Sequence, residues 1–92
     1  MKIDSSEQFI CMAKKMLVRW YKKNVPTFNI ESDDVKLVWV CKTLQNCKCV
    51  LAVPGKNSIY AEYTFNGDKS EVYEDIYCKI QNRRYSDSDG VQ

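Results

Sequence analysis

The chain is 92 residues long and carries 14 lysine and arginine residues, 12 aspartate and glutamate residues, five cysteines and no histidine. Domains usually span about 100–150 residues, so this length allows one domain and excludes a two-lobed enzyme with a cleft. The lack of histidine removes the commonest general base and the Cys–His and Ser–His dyads, so we expect no enzyme. A formal net charge of +2 gives no strong field, and a nucleic-acid or membrane role would need local clustering of charge.

The first predicted element is an amphipathic helix over residues 5–23. Ser5 followed by Gln8 is typical of a capping box, and Pro26 disfavours helical backbone at the residue before it. The apolar side chains recur at helical spacing at Phe9, Met12, Ala13, Met16, Leu17 and Trp20. The opposite face of the helix is basic and carries Lys14, Lys15, Arg19, Lys22 and Lys23.

Three runs rich in β-branched and aromatic residues predict strands over residues 35–42, 47–53 and 58–65. The first two should form a hairpin that turns around residues 44–46. In each strand the odd positions are the more apolar, so we expect the odd face to be the core face. These positions are Val35, Leu37, Trp39, Cys41, Cys47, Cys49, Leu51, Val53, Ile59, Ala61, Tyr63 and Phe65.

The last predicted element is a second helix, from Asp68 to about residue 84. Asp68 with Glu71 is typical of a helix N-cap. The apolar side chains that indicate a helix are Val72, Tyr73, Ile76, Tyr77 and Ile80. The sequence therefore predicts an α+β fold of order α-β-β-β-α, in which two helices pack on one face of a three-stranded antiparallel sheet.

Residues 1–85 should form a single domain, followed by a disordered tail at residues 86–92. The N-terminus lacks the apolar region of a secretory signal, and no stretch approaches the roughly 18 apolar residues of a membrane span. We therefore expect the protein in the cytoplasm, where thiols stay reduced. The five cysteines are then either buried free thiols or metal ligands.

A metal site is one interpretation of Cys41, Cys47 and Cys49, which share odd parity on the predicted hairpin. If the hairpin loop has three residues, Cys41 lies opposite Cys49 and beside Cys47, close enough for three sulfurs to bind one metal ion. A two-residue loop would separate Cys41 from the other two. With Cys78 as the fourth ligand, the site would hold a structural zinc. The other options for the fourth ligand are Cys11, Asp68 and Glu71. The alternative to metal binding is that the cysteines are small buried apolar residues.

Two surfaces are candidates for binding a partner. One is the basic face of the first helix, together with Lys36, Lys42 and Lys48 on the even face of the sheet; basic residues interleaved with an aromatic can bind phosphate. The other is the even face itself, which stays exposed unless residues 25–34 fold over it. Its apolar members are Val38, Val40, Val50, Ala52 and Tyr60. The element order is also similar to the double-stranded-RNA-binding domain, although residues 68–75 are net acidic where that family binds phosphate.

Residues 38–46, followed by residues 63–69 and Glu71-Val72-Tyr73, resemble a family of small proteins of unknown function encoded by phages and prophages of streptococci, lactobacilli and related Gram-positive bacteria. The resemblance covers most of residues 7–84, and its most specific part is Cys41-Lys42-Thr43-Leu44-Gln45-Asn46. Cys41 belongs to the pattern of the family, whereas Cys47 and Cys49 do not.

The resemblance implies a phage or prophage protein located in the bacterial host cell. Such accessory proteins often bind and block a host defence enzyme. The leading hypothesis is therefore a non-enzymatic inhibitor of a host protein, most concretely a CRISPR nuclease of the Cas9 type, that blocks nucleic-acid loading or activation. The alternatives are a nucleic-acid-binding regulator and a phage assembly or replication accessory protein. The residues expected to contact the partner are Lys15, Arg19, Tyr21, Lys22, Lys42, Lys48 and Tyr60, with aromatic and arginine side chains as anchors.

Overall fold

The computed structural model describes residues 5–55, 59–78 and 83–90. Its elements are helix α1 (Ser6–Asn24), strands β1 (Lys36–Thr43), β2 (Asn46–Ala52), β3 (Ile59–Asn66) and β4 (Glu71–Cys78), and 3-10 turns at Ser32–Asp34 and Asp87–Asp89. The four strands form one antiparallel sheet in the order β1-β2-β3-β4. The α+β class is confirmed, whereas the prediction of three strands with two helices is wrong.

Helix α1 begins and ends where the sequence predicts. The side chain of Ser5 accepts a hydrogen bond from the backbone N–H of Gln8 at 3.1 Å, which satisfies one of the free donors at the helix start. At the other end, the N–H of Val25 donates to the carbonyl of Tyr21 at 2.8 Å, just before Pro26. The cap and the proline therefore act as the sequence indicated.

The hydrophobic core lies between α1 and one face of the sheet, which we call the inner face. The helix buries a stripe at every fourth residue, consisting of Phe9, Ala13, Leu17 and Tyr21. The central strands bury Cys47, Cys49, Leu51, Ala61, Tyr63 and Phe65 against it. Phe9 packs on Phe65 with ring centroids 6.3 Å apart. The predicted odd core face of β2 and β3 is confirmed.

Strand β1 departs from the predicted parity at a β-bulge. The register with β2 shifts between Leu37 and Trp39, so Val38 is an extra residue in β1. One extra residue turns every later side chain to the opposite face of the sheet. Beyond the bulge Val40 packs against the core, while Trp39 and Cys41 point to the other side. The prediction that Trp39 and Cys41 belong to the core is therefore wrong.

The first hairpin has a two-residue loop, not the three-residue loop of residues 44–46. Thr43 pairs with Asn46, which leaves Leu44 and Gln45 in the turn. Leu44 has a φ of 56°, the left-handed conformation that tight two-residue hairpin turns require.

The segment predicted as a second helix is strand β4 over Glu71–Cys78. Its residues pair with β3 in a continuous register from Ile59–Cys78 to Asn66–Glu71. The turn before β4 is held by the side chain of Asn66, which accepts hydrogen bonds from the N–H groups of Asp68 and Lys69. Because residues 71–78 form a strand, the predicted order α-β-β-β-α, and with it the similarity to the double-stranded-RNA-binding domain, is wrong. The predicted remainder of that helix at residues 79–82 lies outside the described residues.

The turns at one end of the sheet pack against each other. Gln45 in the first turn donates a side-chain hydrogen bond to Asp68 in the second, and the N–H of Gly67 donates to the side chain of Asn46 at 3.1 Å. A Cβ at Gly67 would lie 2.3 Å from the carbonyl oxygen of Gln45, so only glycine permits this approach. In the described part of the chain, no helix is long and apolar enough to cross a membrane.

Candidate protein-interaction surface

The sheet face opposite α1, which we call the outer face, exposes four large aromatic side chains. Trp39, Tyr60, Tyr73 and Tyr77 are 43%, 39%, 50% and 41% exposed, respectively. Trp39 pairs with Val50, and Tyr60 pairs with Tyr77. These positions alternate with the buried residues of the inner face, so the aromatic side chains lie on the opposite side of the sheet. A patch of exposed aromatic side chains marks an interaction site more often than a surface without such a patch does.

Two of these aromatics form a stacked pair near one end of the β3–β4 ladder. The rings of Tyr60 and Tyr77 lie 5.1 Å apart, centroid to centroid, with an interplanar angle of 16°. The negative charge of Glu62 is the main cause that raises the pKa of the Tyr77 phenol, and Asp75 acts in the same direction. The Tyr77 phenol is therefore uncharged at neutral pH, and the stacked rings offer an apolar surface with hydroxyl groups at its rim.

The charges of the outer face are nearly balanced. Its basic residues are Lys36 and Lys48, and its acidic residues are Glu62, Glu71 and Asp75. Lys48 and Glu62 form an ion pair with 3.5 Å between Nζ and Oε1. Because the acidic residues slightly outnumber the basic ones, this face does not attract a phosphate backbone.

The structure divides the predicted partner residues among different sides of the molecule. Lys15, Arg19 and Lys22 lie on the exposed side of α1. Lys42 pairs with the inner-face residue Cys47, and its ammonium group donates to the carbonyl of Leu44 at 2.7 Å. Lys48 and Tyr60 lie on the outer face, with Lys48 pairing with Thr64. One flat partner surface therefore cannot contact the whole predicted set.

Tyr21, predicted as an aromatic anchor for a partner, lies in the core instead. It is fully buried, with its ring 5.7 Å from that of Phe28 and 5.4 Å from that of Trp20. Its position, four residues after Leu17, continues the buried stripe of α1. Burial raises the pKa of its phenol. Tyr21 is therefore a core residue, and its ring is not available to a partner.

The predicted zinc ligands are not brought together. Cys47 and Cys49 point to the inner face, whereas Cys41 points to the outer face because of the bulge and the two-residue loop. Cys78 pairs with Ile59, whereas Cys47 pairs with Phe65. These two positions of β3 are six residues, or about 20 Å, apart. The described residues contain no group of three side chains placed to hold a metal ion. Zinc binding stays a prediction that these positions do not support.

The two buried thiols behave as apolar core residues. Burial, together with the neighbouring Cys47, raises the pKa of the Cys49 thiol to about 11. A thiol with this pKa is protonated at neutral pH, and the thiolate is the form that attacks electrophiles and binds metals. The alternative interpretation of the cysteines, as small buried apolar residues, agrees with the positions of Cys47 and Cys49.

A groove between α1 and β4 was not predicted, since the sequence pattern assigned β4 to a helix. Its cavity of about 440 Å³ is lined by Met16, Arg19, Trp20, Lys23 and Asn24 from the helix and by Glu74 from the strand. Tyr73 and Tyr77 were missed for the same reason. The signal that could have found them is the β-forming pairs Val72-Tyr73 and Ile76-Tyr77.

A model of the family of unknown function DUF6275 matches residues 10–87. No curated protein and no solved structure matches the chain. The predicted resemblance to an uncharacterised family is confirmed, and the phage origin stays a prediction. Because the matched residues make up most of its length, the chain belongs to the DUF6275 family of proteins of unknown function.

Proposed function

We propose that the chain is a non-enzymatic protein-binding module that recognises its partner through the outer face of the sheet. The observation that carries the proposal is the exposure of Trp39, Tyr60, Tyr73 and Tyr77 on one face. Tryptophan and tyrosine are enriched in the centres of protein interfaces, because they bury a large area and lose little side-chain entropy. The outer face combines these residue types with a nearly neutral charge.

The balance of charge favours a protein over a nucleic acid as the partner. A strand of nucleic acid laid along Tyr60 and Tyr77 would bring its phosphates close to Glu62 and Asp75, which pair directly across β3 and β4. Phosphate contacts supply most of the non-specific affinity of nucleic-acid-binding proteins. Lys48, which acts on Tyr77, is already paired with Glu62, so the stacked aromatics fit a protein surface better.

Two features support a role without catalysis. The chain has no histidine, and the thiol of the fully buried Cys49 is protonated at neutral pH because its pKa is about 11. The aromatic side chains of the outer face are also open to solvent, which suits contact with another macromolecule.

The test is photo-crosslinking in a Gram-positive bacterium that expresses the protein. A benzoylphenylalanine replaces Tyr60 on the outer face in one variant and Lys15 on the exposed side of α1 in the matched control. We expect irradiation to attach one protein to the Tyr60 variant, with the adduct resistant to nuclease, and none to the control. An adduct at Lys15 alone, or one that nuclease removes, would contradict the proposal.

A salt titration separates a protein partner from a nucleic acid. We expect no binding of a labelled DNA duplex or single strand at about 50 mM salt, measured by fluorescence anisotropy. Binding that weakens steeply between about 50 and 200 mM salt would favour the nucleic-acid-binding regulator.

The narrower form of the proposal is an inhibitor of a CRISPR nuclease of the Cas9 type. Its support is the resemblance of residues 38–46 to phage and prophage proteins, because such proteins often block host defence. The test is plasmid cleavage by the nuclease with its guide RNA, titrated with the protein. We expect cleavage to stop near one equivalent, and the double variant Trp39→Ser and Tyr60→Ser to lose the effect. Undiminished cleavage would exclude inhibition of the nuclease. The crosslinking experiment would then remain the test of the protein-binding module.

A further inference from the structure

The two edges of the sheet differ in how they are protected. At one edge, β1 carries a bulge at Val38 and the lysines Lys36 and Lys42, which are features that hinder pairing with another strand. At the other edge, β4 runs for eight residues with no proline, lysine or bulge. Among the described residues, no strand pairs with the free side of β4. A long, regular edge that lacks these three features is a template for adding a strand.

We propose that the free edge of β4 binds an extended segment of a partner protein as a fifth strand. In that segment, basic side chains alternate with apolar ones. The basic side chains lie on the outer side of the sheet and the apolar ones on the inner side. The backbone of β4 supplies hydrogen bonds, and the two sides of the edge select the side chains.

The outer side of this edge is acidic. Asp75 pairs directly with Glu62 across the strands, and two like charges opposite each other destabilise a sheet. Glu71 lies on the same side, four residues before Asp75. Within the described residues, the ion pair of the outer face joins Lys48 to Glu62, and none reaches Asp75. A lysine or arginine beside Asp75 would relieve the repulsion and form a favourable cross-strand pair.

The inner side of the edge carries Val72, Glu74 and Ile76 and borders a groove whose far wall is basic. The groove between α1 and β4 exposes Met16 and Trp20 next to Glu74. The carboxylate of Glu74 already accepts a hydrogen bond from the hydroxyl of Tyr63, with 2.6 Å between the oxygens. Arg19 lies on the far wall of the groove and repels a basic side chain. An apolar side chain of moderate size therefore fits the inner side of the edge, whereas a basic side chain fits the outer side. This difference sets the alternation of basic and apolar residues in the partner segment.

A second copy of the chain is a poorer occupant of the edge. In an antiparallel pairing of β4 with the β4 of another copy, the acidic residues of the two strands face each other. When all eight residues pair, Glu74 of each copy lies opposite Asp75 of the other, and like charges opposite each other destabilise a sheet. The charge of the edge thus selects a basic partner.

The inference rests on the proposed function, since it names the kind of partner segment that lies beside Tyr73 and Tyr77. The test does not depend on finding that partner. The probe is a ten-residue peptide that alternates lysine with valine, added to the full-length protein. One control peptide has glutamate in place of lysine, and another carries N-methyl groups on alternate residues, which block backbone pairing and keep the charge.

We expect the lysine peptide to slow amide hydrogen exchange along β4, observed by NMR, and to leave β1 unchanged. Neither control peptide should do so. Asp75→Lys should weaken binding of the lysine peptide at least tenfold, whereas the matched charge change Asp87→Lys, at an exposed position outside the sheet, should alter it by less than twofold.

Three outcomes would overturn the inference. Equal binding of the N-methylated peptide would show attraction by charge without strand addition, and protection at β1 would place the peptide on the wrong edge. A doubled mass in sedimentation without peptide, together with slowed amide hydrogen exchange along β4, would make a second copy the occupant. None of these outcomes affects the crosslink expected at Tyr60, so failure of the inference is distinguishable from failure of the proposed function.

Discussion

The two faces of β3 differ sharply although their residues alternate one by one along the same strand. On the inner face Ala61, Tyr63 and Phe65 are at most 3% exposed, because α1 covers them. On the outer face Tyr60 is 39% exposed, and its neighbour Glu62 carries a charge. The inner residues contribute stability through burial, which is worth roughly 1.5–3 kcal/mol for each large apolar side chain.

This difference separates the stability of the fold from recognition by the fold. Substitutions on the inner face or on α1 beneath it should unfold the protein, and substitutions on the outer face should leave it folded with altered binding. A recognition surface of this kind tolerates change at little cost to the fold. Variants on the two faces test that separation.

The largest effect is expected for Phe9→Ala. Phe9 is fully buried against Phe65, and its truncation removes apolar contacts and leaves a cavity under the helix. The free energy of unfolding should fall by about 3–5 kcal/mol, measured by urea denaturation with circular dichroism. Lys15→Ala on the exposed side of the same helix is the control and should change it by less than about 0.5 kcal/mol. Equal losses in the two variants would contradict the one-sided burial of α1.

The next effect concerns the pH dependence of stability. The pKa of Cys49 is raised from 9.0 to about 11 in the folded protein, so the unfolded chain loses this proton first as pH rises. Stability should be unaffected by this group below pH 9 and should decrease between pH 9 and about pH 11. The measurement is urea denaturation at several pH values, for the wild type and for Cys49→Ala.

Between pH 9 and pH 11 the free energy of unfolding should fall less in Cys49→Ala than in the wild type, whatever the stability of the variant at pH 7. The phenol of Tyr63 also has a raised pKa, because it is buried and donates to Glu74. Its contribution begins above pH 10 and stays in both proteins. An identical pH profile for the two proteins would show that the Cys49 thiol is not buried on the inner face.

The elements that the sequence predicted correctly are those whose apolar residues follow a single clear period. Helix α1 combines apolar residues at helical spacing with Ser5 at its start and Pro26 after its end. Strands β2 and β3 alternate apolar and polar residues, and their odd positions are buried as expected. In these elements, local preference and tertiary packing favour the same structure.

The sequence of strand β4 predicts a helix because its apolar residues are four positions apart. A spacing of four places two residues on one face of a helix and also on one face of a strand, since four is an even number. Val72 and Ile76 therefore share the inner face, and Tyr73 and Tyr77 share the outer face. The β-forming side chains and the pairing with β3 decide between the two structures, and the pairing is not visible in the local pattern.

The candidate surface was predicted in part. Lys48 and Tyr60 lie on the outer face as expected from their even positions. The alternation of β1 predicts Trp39 in the core, because the bulge that turns it outward inserts one residue without any change in composition. Tyr21 was assigned to the surface because tyrosine is common at interfaces, yet the stripe of every fourth residue in α1 includes it.

A smaller effect, of opposite sign, is expected for Tyr21→Phe. The hydroxyl oxygen of Tyr21 is buried, and it has no hydrogen-bond partner within the part of the chain that the structure describes. A buried polar group without a partner costs about 1–3 kcal/mol, so removing it should stabilise the fold. The melting temperature should rise by about 4–8 °C for each kcal/mol gained in a domain of this size. A lower melting temperature would show that the hydroxyl has a partner.

The smallest effect on stability is expected for Tyr60→Thr on the outer face. Threonine suits a strand, so the main loss is the stacked contact with Tyr77, which is worth about 0.5–1.5 kcal/mol. A double-mutant cycle with Tyr77→Thr isolates this contact, with urea denaturation as the measurement. If Tyr60→Thr cost as much as Phe9→Ala, the outer face would be part of the core in solution, and the open surface on which recognition depends would not exist. A small cost, together with loss of the partner from the outer face, would show that stability and recognition are carried by alternate residues of one strand.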